Sequence, residues 1–419
     1  MFEKTTLTNG IRVITERMPE LHSVSVGIWV KTGSRHEDLS LGGISHFLEH
    51  MLFKGTKNRS ARDIAKEIDS VGGVLNAFTD REFCCYYAKI LGDKLPKAID
   101  LLSDLLLNSV FNPEEIEKER KVILQELHMI EDSPDDLVHD LLSESIWRGH
   151  PLSHAVIGRV PTVNRIMRDD LLRLLGSNYQ GRNLLVCAAG AVDHQDLVAQ
   201  VEAAFDSVPC GAALPDSPAP VHNAALKVTE KDLEQVHLCL GCRGVAQNHP
   251  DRFAMNLINS LLGASMSSRL FQTVREERGL AYSIYSYLNS HSDVGSLIVY
   301  SGTSPEELPQ LLDVTLEQLR SLKNHPVDDA ELQRTKEQLK GGLLLSLESS
   351  DNRMSRLAKG EILLGRQYGI DEIIRQIDRV TPAAIQELAN DLFVDGSLNL
   401  QMVGRVDSGQ FSGNALSLS

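Results

Sequence analysis

Residues 184–193 read LLVCAAGAVD, and residues 398–407 read LNLQMVGRVD. The two stretches lie 214 positions apart: Leu398 falls on Leu184, Gly404 on Gly190, Val406 on Val192 and Asp407 on Asp193. Upstream, the same spacing sets Val380 on Ile166, Ile385 on Leu171 and Leu388 on Leu174, the apolar stripe of a helix that leads into a strand. A looser echo, at about the same spacing, puts Leu308-Pro309 and Asp313 against Leu95-Pro96 and Asp100. A helix-then-strand pattern that recurs at half the chain length predicts a duplicated α+β unit of about 200 residues. Between the copies, residues 209–222 (PCGAALPDSPAPVH) are proline-rich and lack periodicity, which predicts a linker. The expected domains are therefore 1–208, the linker 209–222, and 223–419.

Within the first half the pattern changes period in a readable order. Asn9-Gly10 sits between two alternating runs and predicts a hairpin. Val24, Val26, Ile28 and Val30 alternate as a half-buried strand does. Helices are expected over 44–53, 61–71, 95–107 and 113–130, with one strand-like run from Val74 through Asn76 and Phe78 to Tyr87. The helix at 113 opens on Asn112-Pro113-Glu114-Glu115, a cap, a first-turn proline and two acids that suit the helix dipole.

The informative chemistry lies in Gly42-Gly43-Ile44-Ser45-His46-Phe47-Leu48-Glu49-His50. On a helix, His46 and His50 are one turn apart and point from one face, so both imidazoles can grip one metal ion. Glu49 lies beside that face and can deprotonate a water held by the ion. Two imidazoles plus a carboxylate suit zinc and leave a position open for water. The third ligand must come from elsewhere, and Glu126 on the helix after Pro113 is a candidate. Glu119, seven residues earlier on the same face, could orient a ligand. Alone, two glutamates on an acid-rich helix would be read as a solvated face.

H-x-x-E-H inverts the H-E-x-x-H of many zinc peptidases. With it, HFLEHMLFKGT, GGVLNAFTDRE, ERKVILQE and SRLFQTVREERGLAYS resemble segments of the pitrilysin family of metallopeptidases through nearly the whole chain. The likeness is greatest to the short branch that includes the mitochondrial processing peptidase β subunit and its bacterial relatives. It implies two α/β halves facing each other as a clamshell around a peptide, and one Zn2+ per chain held by His46, His50 and Glu126. It makes Glu49 the base and Glu119 the family's additional glutamate. It implies that Asn76-Ala77 lies on the edge strand that pairs with the peptide, and that Arg275 and Tyr282 reach the substrate. The second half carries no H-x-x-E-H, so it is expected to bind substrate without metal.

Composition bounds the alternatives. With 57 acidic against 42 basic residues the formal charge is −15, which argues against a nucleic-acid partner and is compatible with basic peptides. No run reaches the roughly 18–20 apolar residues that span a bilayer, and the opening residues show no signal pattern. Six cysteines, Cys84, Cys85, Cys187, Cys210, Cys239 and Cys242, form no disulfide framework; Cys239-x-x-Cys242 reads as part of a strand. The expectation is a bacterial cytoplasmic zinc endopeptidase acting on unfolded peptides or N-terminal extensions, and a homodimer by resemblance. The alternative is a noncatalytic peptide-binding or assembly subunit on the same fold.

Overall fold

The computed structural model describes residues 2–215, 218–407 and 416–418. In chain order the first repeat contains β1 (Phe2–Thr6), β2 (Arg12–Arg17), β3 (Ser23–Val30), α1 (Ile44–Leu52), α2 (Ala61–Asp69), β4 (Val74–Thr79) and β5 (Cys84–Leu91). It continues with α3 (Leu95–Asn108), α4 (Pro113–Asp132), α5 (Pro134–Ile146), α6 (Val160–Val163), α7 (Arg168–Asn178), β6 (Leu184–Gly190) and α8 (His194–Phe205). The second repeat contains β7 (Ala225–Glu230), β8 (Val236–Gly244), α9 (Arg252–Leu262), β9 (Ala281–Ser290), β10 (Gly295–Thr303) and α10 (Leu308–Asn324). It ends with α11 (Asp329–Ser346), α12 (Ser350–Leu363), α13 (Ile370–Arg379), α14 (Pro382–Leu392) and β11 (Asn399–Gly404).

The duplication is visible in sheet topology. The first sheet runs β1-β2-β6-β3-β5-β4 and the second β7-β11-β8-β10-β9. In each, one parallel pair (β2 with β6, β7 with β11) is followed by antiparallel neighbours out to the edge. Gly190 and Gly404 close the matching strands β6 and β11 with φ of 126° and 143°, a region that favours glycine. The architecture is α+β in two units, with helices packed on mixed sheets.

The units are not continuous stretches of sequence. One comprises 1–128, 154–217 and 346–367; the other comprises 129–153, 218–345 and 368–419. The linker region does contain one crossing, at 217/218. Yet α5, from the first repeat, sits on the second sheet, and α12, from the second repeat, sits on the first.

Local expectations fare unevenly. α1, α3 and α4 lie within two residues of the expected limits, and β1 and β2 form the hairpin. The run from Val74 to Tyr87 is not one strand. It breaks after Thr79, where Asp80 N–H donates to Phe83 O at 2.8 Å, and returns as β5 antiparallel to β4. No glycine or proline marks that turn, so the sequence pattern ran through it. Cys239 and Cys242 lie buried in β8 as free thiols.

Candidate metal centre

α1 divides cleanly into two faces. Ile44, Phe47, Leu48, Met51 and Leu52 are buried, and His46, Glu49 and His50 lie on the other side, partly accessible. Its first turn is held from outside the helix. Glu37, itself buried, accepts from Gly43 N–H through Oε2 and from Ser45 N–H through Oε1, both at 2.8 Å. Two of the unpaired donors at the helix start are thereby satisfied. Burial holds the Glu37 carboxyl above the usual range, and these hydrogen bonds offset only part of that rise. Gly43 has φ 94°, and an added Cβ would lie 2.5 Å from Ile157 O, so no other residue fits there.

The second wall is α4. Ile116, Glu119, Arg120, Ile123 and Leu127 form its buried stripe. Arg120 lies over the Phe47 ring at 5.2 Å and donates to Val163 O and, at 2.8 Å, to Ile166 O, which ties α4 to α1 and to the segment before α7. Glu126 lies at the edge of that stripe. The ligand atoms of His46, His50 and Glu126 lie within 4.8 Å of one another, the one such cluster among the described residues. Glu126 Oε2 is 3.9 Å from His46 Nε2 and 3.7 Å from His50 Nε2.

Glu119 is buried, unlike the solvated residue an isolated reading of α4 would give. Its Oε2 lies 3.2 Å from His50 Nδ1 and its Oε1 2.6 Å from Lys54 Nζ. A carboxylate at Nδ1 fixes the His50 tautomer and turns Nε2 toward Glu126. His46 is held neutral: burial, helped by the nearby His50, lowers its pKa to about 4. Its Nδ1 is buried without a hydrogen-bond partner, so nothing there stabilises a cation. A neutral imidazole is the form that binds metal, and the N, N, O donor set fits zinc.

Glu49 accepts a hydrogen bond from Thr79 Oγ1 at 2.5 Å. Burial pushes its carboxyl above the ordinary range, and the Thr79 bond opposes that shift. Thr79 ends β4, the edge strand of the first sheet, which also carries Asn76 and Ala77. By strand alternation Ala77 and Thr79 share one face. Glu37, Lys54 and Thr79 escaped the sequence reading. Glu37 and Lys54 lie near the motif in sequence, but only folding shows what their side chains reach.

Arg275 and Tyr282 belong to the other unit. Arg275 lies near the end of the wide helical turn Phe271–Glu276, with its guanidinium 4.6 Å from the centroid of the Tyr282 ring. Tyr282 is 80% exposed on the edge strand β9.

Comparison with known proteins gives this arrangement a family. Residues 12–159 match the insulinase (peptidase family M16) domain, and residues 165–339 match the peptidase M16 inactive domain. A zinc protease described as uncharacterized, YmxG of Bacillus subtilis, is 41% identical over 94% of this chain and 96% of its own length. The chain belongs to peptidase family M16. A second relative, the uncharacterized zinc protease SCO5738 of Streptomyces coelicolor, is 41% identical over 93% of this chain and 86% of its own length. The fold recurs in a protease from Helicobacter pylori with TM-score 0.89, at 24% identity over 97% of this chain and 99% of that one. It recurs as well in a chain of complex III2 from Candida albicans with TM-score 0.85, at 23% identity over 96% of this chain and 95% of that one. For an M16 chain, a His, His, Glu cluster of the kind that binds zinc is thus in place.

Proposed function

We propose that this chain is a zinc-dependent endopeptidase acting on unfolded peptides or N-terminal extensions, on the branch that resembles the processing peptidase β subunit. The observation that carries the reading is the convergence of His46, His50 and Glu126 beside a partly buried carboxylate, Glu49, held by a strand-edge hydroxyl. The zinc-protease relatives support it.

His46, His50 and Glu126 would hold the ion, with Glu119 orienting His50. When bound, zinc supplies Lewis acidity and lowers the pKa of water toward about 7. Glu49 takes a proton from the attacking water and returns it to the leaving amine; a carboxyl raised by burial is suited to both steps. The backbone of β4 around Asn76 and Ala77 pairs with an extended peptide, which favours varied sequences. Arg275 holds a peptide carbonyl and Tyr282 donates to the developing oxyanion. The acidic total favours basic substrates, and we place the protein in a bacterial cytoplasm as a homodimer.

The test is hydrolysis of a long, basic, internally quenched peptide by the purified chain, with and without a chelator. We expect chelator-sensitive cleavage, loss of several orders of magnitude in Glu49→Gln with zinc retained, and a lower kcat in Tyr282→Phe. Near-normal turnover in Glu49→Gln would remove the mechanism. Neither cleavage nor bound zinc would leave the assembly-subunit reading.

A further inference from the structure

Each sheet accepts a helix that the other repeat supplies, and the two docking faces differ in chemistry. On the first sheet, Met354 and Leu357 of α12 are buried against Trp29, Cys85, Leu185 and Cys187. Charged pairs flank this contact. Lys89 Nζ donates to Asp351 Oδ2 at 2.7 Å, Arg353 pairs with buried Glu16, and Lys4 and Arg12 donate to Glu361 at 2.7 and 3.1 Å. The helix thus reads negative, positive, negative along its length, against positive, negative, positive on the sheet. Ser25 Oγ adds a bond to Asp351 at 2.6 Å.

On the second sheet, Val138, Leu142 and Ile146 of α5 pack against Cys239, Ile298 and Val403. Hydrogen bonds between uncharged groups cross this contact: Asn399 Nδ2 donates to Ser145 Oγ at 2.9 Å, and Tyr287 Oη lies 2.7 Å from His139 Nδ1. Each sheet also has a glycine beneath its guest. A Cβ at Gly241 would lie 2.5 Å from Ile146 Cδ1, and one at Gly27 would lie 3.1 Å from Met354 Sδ.

We propose that the two repeats are a non-covalent pair locked by this reciprocal helix exchange, so that the linker is dispensable once the chain has folded. The partner each sheet recognises is the complementary half-chain. Cutting between 215 and 218 leaves residues 129–153 seated in one unit and 346–367 in the other, each now on the opposite fragment from most of its host unit. The inference does not depend on the peptidase reading.

The experiment inserts a site-specific protease sequence after Pro215 in the full chain and cuts it after folding. Size-exclusion chromatography at micromolar concentration should then return both fragments together at the size of the uncut chain. Separation into halves would overturn the proposal. So would a doubling of mass on cutting, since exchange between copies would then have replaced exchange within the pair. In the cut chain, Glu361→Gln should lower the denaturant concentration at which the fragments part; no change would remove the charge match from the argument. In the unmodified chain, α12 amides should exchange with deuterium as slowly as those of β3. Exchange in step with α13 instead would also overturn it.

Discussion

At Glu49 two opposing influences meet at one carboxylate. Burial raises its pKa, while the Thr79 hydroxyl stabilises the charged form. A hydrogen bond to an ionised group contributes about 1.5–3 kcal/mol, enough to position a base or leave it mobile. Thr79→Val should lower kcat about tenfold or more, with zinc content and KM little changed, since a barrier change of about 1.4 kcal/mol is a factor of ten. Thr79→Ser, which keeps the hydroxyl, should restore most of the activity. Unchanged kcat in the valine variant would show that Glu49 is positioned by its own helix alone. Thr79 is an unremarkable strand residue in the sequence, and only the fold shows that it ends beside Glu49.

The element that matters most is α1, whose metal-facing side chains depend on where its first turn is fixed. Glu37 supplies that fixing through two 2.8 Å bonds to backbone N–H groups, in place of a serine or aspartate at the N-cap. Removing the carboxylate strands two buried donors, at a cost of about 1–3 kcal/mol each at most. Glu37→Ala should therefore lower the thermal midpoint and weaken zinc binding together, and Glu37→Gln, with one acceptor left, should fall between. Calorimetric unfolding and zinc competition read both effects. A lower midpoint with wild-type zinc affinity would show that the cap stabilises the fold without placing the histidines. The change of period after Gly42-Gly43 predicted this helix, but the sequence offered no standard cap.

On the scale of the whole molecule, both units carry histidines that the fold keeps neutral. Burial lowers His36 to about 4 in one unit and His222 to about 4 in the other, from an ordinary value of 6.5. The unfolded chain takes up protons at these sites below about pH 6.5, and the folded chain does not until about 4. Stability is therefore complete above the unfolded value and declines as pH falls through that window. Denaturant titrations at pH 7, 5.5 and 4.5 should show the decline, and His222→Gln should make it shallower. An equal decline in that variant would assign the effect to other groups. His222 meets Trp147 edge to face, with ring centroids 5.7 Å apart.

The sequence by itself determined the duplication, the positions of α1, α3 and α4, and the H-x-x-E-H face. These are local: periodicity, caps and spacing along one helix are short-range properties of the chain. Tertiary structure alone decided that Glu119 is buried against His50 and that Thr79 reaches Glu49. It alone decided that α5 and α12 change places. An apolar stripe says that a helix must be covered, not which of two similar sheets covers it. That choice belongs to charges and glycines far away in sequence, such as Lys89, Glu16 and Gly241, which only folding brings beneath their helices.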